Sequence, residues 1–108
     1  MEIITRLEEI ILISIWRLKG KAYGVTINKE VSERSRKKYS MGALYFTLDQ
    51  LVRKGFLVKR EGDPTPKRGG KRKIFYEITP DGEKALQHSL EMHDSLWDDS
   101  SKLAFKKH

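Results

Sequence analysis

The chain has 108 residues, 22 Lys/Arg against 15 Asp/Glu, a formal net charge of +7 and no cysteine. That length suits one domain with a small core, and the missing cysteine excludes disulfides, thiolate metal sites and a cysteine nucleophile. The charge is uneven: residues 20–55 carry eight Lys/Arg against three Asp/Glu and residues 56–78 seven against three, while residues 1–19 balance and residues 79–108 are slightly acidic. A basic centre between neutral or acidic ends is the footprint of a nucleic-acid surface.

Thr5 and Glu8 form a T-x-x-E capping box, so a first helix is expected to start near Thr5. Leu7, Ile10, Ile11, Ser14, Ile15 and Leu18 keep a helical period, and Ile13 and Trp16 widen the apolar surface to nearly all round. Such a helix is either central in its domain or shared with a partner, which makes Ile11 and Ile15 candidates for a dimer interface. The apolar run Ile10–Trp16 is flanked by charge and too short to span a bilayer. With no signal-like segment before it, a cytoplasmic protein without a membrane partner is expected.

Lys19, Gly20 and Lys21 break this helix, and Ala22-Tyr23-Gly24 leads into a second, weaker one with Val25, Ile27 and Val31 as its apolar positions. It ends in Arg34, Arg36, Lys37 and Lys38. That run either complements the helix macrodipole or contacts phosphate, and the residues alone leave both readings open.

Ser40 to Gly55, SMGALYFTLDQLVRKG, reads as a helix over Ser40–Lys54 with both ends marked. Ser40 is a good N-cap, and Gly55 follows a basic last turn. Leu44, Leu48 and Leu51 share one face, with Met41 and Val52 beside them. Gly42, Phe46 and Asp49 lie opposite, with Tyr45 at the flank. Two consecutive helices with a tight link, the second capped and amphipathic, fit a helix-turn-helix.

Phe56–Arg60 then reads as a strand, Glu61–Gly70 as a Gly/Pro loop, and Lys71–Ile78 as a return strand with Ile74, Tyr76 and Ile78 on one side. Helix, strand, basic loop, strand is the plan of a winged helix. Thr79 and Pro80 open a last helix that can run to about Phe105. Leu86, Leu90, His93 and Trp97 form its stripe, with Met92, Leu96 and Leu103 beside it. A helix of roughly 25 residues approaches 40 Å, more than a small core covers, so the same helix of a second subunit is the simplest partner.

A major groove admits one helix, whose N-terminal residues usually meet the bases. That selects Ser40, Met41, Gly42, Tyr45 and Phe46 as DNA-contacting candidates. Tyr45 either reaches a phosphate or is an ordinary half-buried tyrosine, and Phe46 either touches a thymine methyl or covers the base of the wing. Asp49 is repelled by phosphate unless Arg53 or Lys54 pairs with it. Lys67, Arg68, Lys71, Arg72 and Lys73 form the wing cluster, placed for backbone or minor-groove contact. Nothing supports catalysis. His88 and His93 are five apart, off the spacing that puts two metal ligands on one helix face, and no nucleophile–base pair or phosphate-cradling loop occurs.

Four stretches in this order, Tyr23-Gly24, S-x-G-A-L-Y-x-x-L-D-x-L-x-x-K-G over Ser40–Gly55, D-P-T-P-x-R-G-G-x-R-K over Asp63–Lys73, and Y-x-x-T-P-x-G-x-x-A-L over Tyr76–Leu86, resemble the PadR family of bacterial transcriptional regulators. The likeness runs from about Leu7 to Leu90. It implies a winged helix-turn-helix that dimerises through its C-terminal helix and usually represses genes, here of the compact type with one C-terminal helix. The wing resembles that of a subgroup often found near membrane-transport genes. Phe46 departs from the proline or small polar residue frequent at its position in the family. Some members bind planar aromatic compounds between subunits, which makes Trp16 and Trp97 a candidate slot for an aromatic effector. Simple packing of two large residues is the alternative.

The sequence therefore predicts an α+β, mainly helical winged helix-turn-helix: three helices plus a two-stranded wing over 1–78, and a long dimerisation helix over 79–108. The expected function is a homodimeric DNA-binding regulator, a repressor reading a pseudo-palindromic duplex operator, with no metal or cofactor. The expected dimer residues are Ile11, Ile15, Leu86, Leu90, His93, Leu96 and Trp97. A winged helix serving only protein–protein interaction is the rival.

Overall fold

The computed structural model describes residues 3–62 and 73–100. Its elements run α1 (Arg6–Leu18), α2 (Gly24–Ser35), α3 (Met41–Arg53), β1 (Leu57–Glu61), β2 (Ile74–Ile78) and α4 (Pro80–Ser100). Four helices and a two-stranded antiparallel sheet make a mainly helical winged helix-turn-helix. The strands pair with Leu57 opposite Ile78 and Glu61 opposite Ile74.

Capping sets the helix boundaries. Thr5 Oγ1 accepts the Glu8 N–H at 3.1 Å while the Thr5 N–H donates to Glu8 Oε1 at 2.8 Å, so the expected capping box opens α1. Ser40 Oγ accepts the Ala43 N–H at 3.1 Å at the head of α3. Gly55, at φ +81°, turns the chain where a side chain would be strained, just past that helix. Thr79 Oγ1 accepts the Gly82 N–H at 3.0 Å and donates to the Gly55 carbonyl at 2.6 Å, so one hydroxyl caps α4 and pins it to the end of α3.

The core gathers Ile11, Leu12 and Ile15 of α1, Ile27 and Val31 of α2, Leu44, Leu48 and Leu51 of α3, and Phe56, Leu57 and Tyr76 of the sheet. Ile11 and Ile15, expected at a dimer interface, are 0% and 3% exposed inside this protomer, so a second subunit cannot reach them. A helix apolar nearly all round was ambiguous between central and shared; on this face α1 is central. Its outer positions Ile13 and Trp16 stay exposed. Val25 is also exposed, not core, because it stands about 200° around the helix from Ile27. Gly24 holds the core-facing position instead.

Ala22 and Tyr23 add a feature the periodicity did not show. The Tyr76 N–H donates to the Ala22 carbonyl at 2.8 Å and Tyr23 forms a single antiparallel bridge to Phe75. The connection between α1 and α2 thus extends the sheet on the far side of β2, and holds the wing base against the helical core.

Two adjacent glutamates of α1 tie down two different helices. Glu8, only 2% exposed, pairs through Oε2 with Lys54 Nζ at 2.7 Å at the end of α3. Glu9 Oε1 lies 3.2 Å from His93 Nε2 on α4. Burial by itself pushes the Glu8 carboxyl up, but the Lys54 ammonium and the Thr5 N–H and hydroxyl together outweigh it and hold the group below the usual glutamate value.

Candidate nucleic-acid interface

The outward surface of α3 follows from its inward one. Leu44, Leu48 and Leu51 are buried as their spacing requires, joined by Thr47, whose hydroxyl donates to the Ala43 carbonyl at 3.1 Å and so satisfies itself inside the fold. Gly42 and Phe46 then have to face out. Phe46 is 60% exposed, with Tyr45 at 42% and Met41 at 38% on the same N-terminal half. No Cβ contact would arise at Gly42, so the backbone there is open to approach.

Tyr45 is held by packing as well as displayed. Its hydroxyl and ring end lie on Gly24, where a Cβ would collide with them, and the Met41 methyl lies 3.4 Å from that same Cβ position. The Tyr23-Gly24 pair therefore has a physical reason. Gly24 lets Tyr45 cross the start of α2, and that contact fixes the angle between the two helices.

Basic groups border this face. Arg36, Lys37 and Lys38 are exposed just before the Ser40 cap, and Asn28 Nδ2 donates to the Tyr39 carbonyl at 3.1 Å, holding that turn against α2. Arg36 itself adopts a left-handed conformation at φ 56° to end α2. The pairing of Asp49 differs from expectation. Lys59 on β1, not Arg53 or Lys54, lies 3.4 Å from the Asp49 carboxylate, because Lys54 is already drawn inward to Glu8. The turn at Gly55 brings β1 back along α3, a neighbour that helix spacing cannot reveal. Burial, the main cause, and the nearby Asp49 carboxylate raise the Tyr76 phenol above the ordinary value.

Of the expected wing cluster, Lys67, Arg68, Lys71 and Arg72 lie outside the described residues. Lys73 is described: its ammonium stands 4.3 Å from the Tyr23 ring centroid, and its carbonyl accepts the Gly62 N–H at 2.8 Å. Tyr23 in turn meets Phe75 edge-on at 5.6 Å. Opposite Phe75, Arg60 stacks on the ring at 4.9 Å and pairs with Glu77 at 2.7 Å. The neck of the wing is thus two aromatic rings in edge-on contact with a cation at either end.

The profile of the transcriptional regulator PadR-like family matches residues 11–88. The chain belongs to the PadR-like family. Its members are transcriptional regulators rather than enzymes, and this one is a DNA-binding regulator. Among solved structures, the hsRosR-S1 complex is 31% identical with a TM-score of 0.72, the match covering 87% of this chain and 76% of that one. A structure of H. salinarum RosR grown from NaBr gives 31% identity and a TM-score of 0.70, covering 87% of this chain and 77% of that one. A PadR family transcription regulator from Clostridium difficile R20291, at 23% identity and a TM-score of 0.63, shares the fold over 92% of this chain and 94% of its own. No curated protein matches the chain.

The remaining predicted residues of this PadR-like chain lie on α4. Leu90, Leu96 and Trp97 on α4 are 54%, 62% and 52% exposed. Leu86 is half-buried and packs against the core, and His93 is engaged with Glu9. Between α1 and α4 runs an open groove of about 880 Å³, with Ile10, Ile13, Trp16, Leu86 and Leu90 on its apolar walls and Arg6, Arg34 and Lys37 among its polar ones. Trp16 lines it, with Lys19 Nζ 6.0 Å from its ring, but Trp97 does not, so one protomer does not bring the two tryptophans into one slot. Among the described residues there is no cluster of acidic or histidine side chains able to hold a metal, and no helix long and apolar enough to cross a membrane.

Proposed function

We propose that this chain is a homodimeric repressor that reads a pseudo-palindromic operator with α3 and grips its flanks with the wing. The observation that carries this reading is the outer face of α3: its core face is fully used, its N-terminal half is displayed, and exposed cations stand at its start and on the neighbouring strand. Two such helices would enter successive major grooves about one turn apart. Lys67, Arg68, Lys71, Arg72 and Lys73 would add backbone or minor-groove contact, and bound protein would cover promoter elements in the cytoplasm.

The groove between α1 and α4 supports the dimer. Its walls are apolar with cations at the side, while the far half of α4 carries exposed Leu90, Leu96 and Trp97 together with Glu91, Asp94 and Asp98. A second α4 laid along it would bury both sets of apolar side chains and pair opposite charges. Any slot containing Trp16 and Trp97 would then form between subunits, and a planar aromatic effector is its fitting occupant.

The test is fluorescence anisotropy on duplex DNA from upstream of the chain's own gene against a scrambled duplex, at several salt concentrations. A preference that survives high salt, with two chains per site, is the expected result. Equal and salt-labile binding to both duplexes would leave only a basic surface and favour a protein partner. Arg68→Ala with Arg72→Ala should weaken binding to every sequence and flatten the salt dependence by about one ion per lost contact.

A further inference from the structure

We infer that α3 reads its operator mainly through thymine methyl groups, and that Phe46 is the residue that sets this specificity. The inference rests on the DNA-binding reading above and goes beyond it by naming the chemical feature that is read.

On the N-terminal half of α3 the outward residues are Met41, Gly42, Ala43, Tyr45 and Phe46. The polar side chains nearby are committed: Ser40 Oγ caps Ala43, Thr47 Oγ1 turns back to the Ala43 carbonyl, and Asp49 faces Lys59. The Tyr45 hydroxyl lies against Gly24 at the start of α2. No arginine, asparagine or glutamine occupies residues 40–49, so the bidentate pairings that distinguish guanine and adenine are absent from this half. The one base-edge feature in the major groove that an apolar side chain recognises is the 5-methyl group of thymine. Phe46 stands at the middle of the displayed stripe, four residues after Gly42, whose missing side chain lets the helix approach closely. The exposed cations Arg36, Lys37 and Lys38 before the helix suit the phosphates on either side of such a contact. A large aromatic ring 60% exposed on a basic surface gains most when it meets an apolar group there.

The experiment first selects a tight duplex from a randomised library with the full chain. Each thymine is then replaced by deoxyuridine, which removes the methyl group and leaves every hydrogen-bonding atom in place. At one thymine per half-site the replacement should weaken binding by about fourfold, and by about 15-fold when made in both half-sites, as expected for one methyl-sized contact each. Phe46→Ala should bind the thymine and deoxyuridine duplexes equally, and Phe46→Leu should keep part of the difference; the exposure of the ring leaves both variants folded, which circular dichroism checks. If no thymine is sensitive, or if Phe46→Ala loses as much on deoxyuridine replacement as the parent, the inference is overturned while DNA reading stands. If the library yields no preferred duplex, DNA reading fails and takes the inference with it.

Discussion

Helices α3 and α4 use their apolar residues in opposite ways. In α3 the large side chains Leu44, Leu48 and Leu51 point into the protomer and are at most 1% exposed. In α4 the buried positions are Gly82, Ala85 and Ser89, and the large residues Leu90, Leu96 and Trp97 are outside. The difference is one of distance. A Cβ at Gly82 would collide with the Phe56 carbonyl and press on Ile78 Cγ1 at 2.7 Å, so α4 lies directly on backbone and only small residues fit beneath it. α3 instead turns three leucines into the core it shares with α1 and α2. One helix turns its bulk into the core; the other leaves Leu90, Leu96 and Trp97 exposed.

The sharpest way to break this contrast is in the core of α3. Leu48→Ala should cost about 3 kcal/mol, the usual range for a fully buried leucine, seen as a lower urea midpoint. Lys54→Ala should come next, at about 2 kcal/mol, because it leaves the buried Glu8 carboxylate without its counter-charge. The sign of its pH dependence follows from the lowered Glu8 pKa. That stabilisation is complete above the unfolded glutamate value and fades as pH falls through the folded one, so parent and Lys54→Ala melts should converge in acid. Gly82→Ala should cost about 1–2 kcal/mol by forcing α4 off Phe56, a value read by thermal melting and not matched at Gly42, where the added methyl meets nothing. The smallest effect on stability should come from Trp97→Ala, within about 0.5 kcal/mol for the protomer. Its effect should appear instead in sedimentation, as dissociation at concentrations where the parent is paired. A Trp97→Ala chain that unfolds without dissociating would erase the distinction between the two helices.

The same difference in packing decided what could be read in advance. The α3 boundaries, its buried leucines and its exposed Phe46 were legible, because a capped amphipathic helix with one strong stripe allows one orientation. The α4 stripe was legible as a pattern, but it divides: Leu90 and Trp97 are exposed, Leu86 packs against the core and His93 meets Glu9, while the fully buried positions Gly82, Ala85 and Ser89 are small and carry little hydrophobic signal. Ile11 and Ile15 were assigned to an interface because α1 is apolar on several sides. Periodicity finds such a surface without saying which part other elements of the chain will cover. Lys59 opposite Asp49, Lys54 against Glu8 and Ala22 beside Tyr76 join residues far apart in sequence, and no local spacing predicts them.

Sequence alone thus determined the order of elements, the caps, the basic centre and the family resemblance, since each rests on interactions within a few residues or on simple counting. Tertiary structure decided which of two adjacent glutamates holds which helix and which glycine admits Tyr45. It also decided which apolar face of each helix is spent inside the protomer. Those outcomes depend on how closely backbones approach and on which charges meet across the fold, quantities that exist only once the chain has packed.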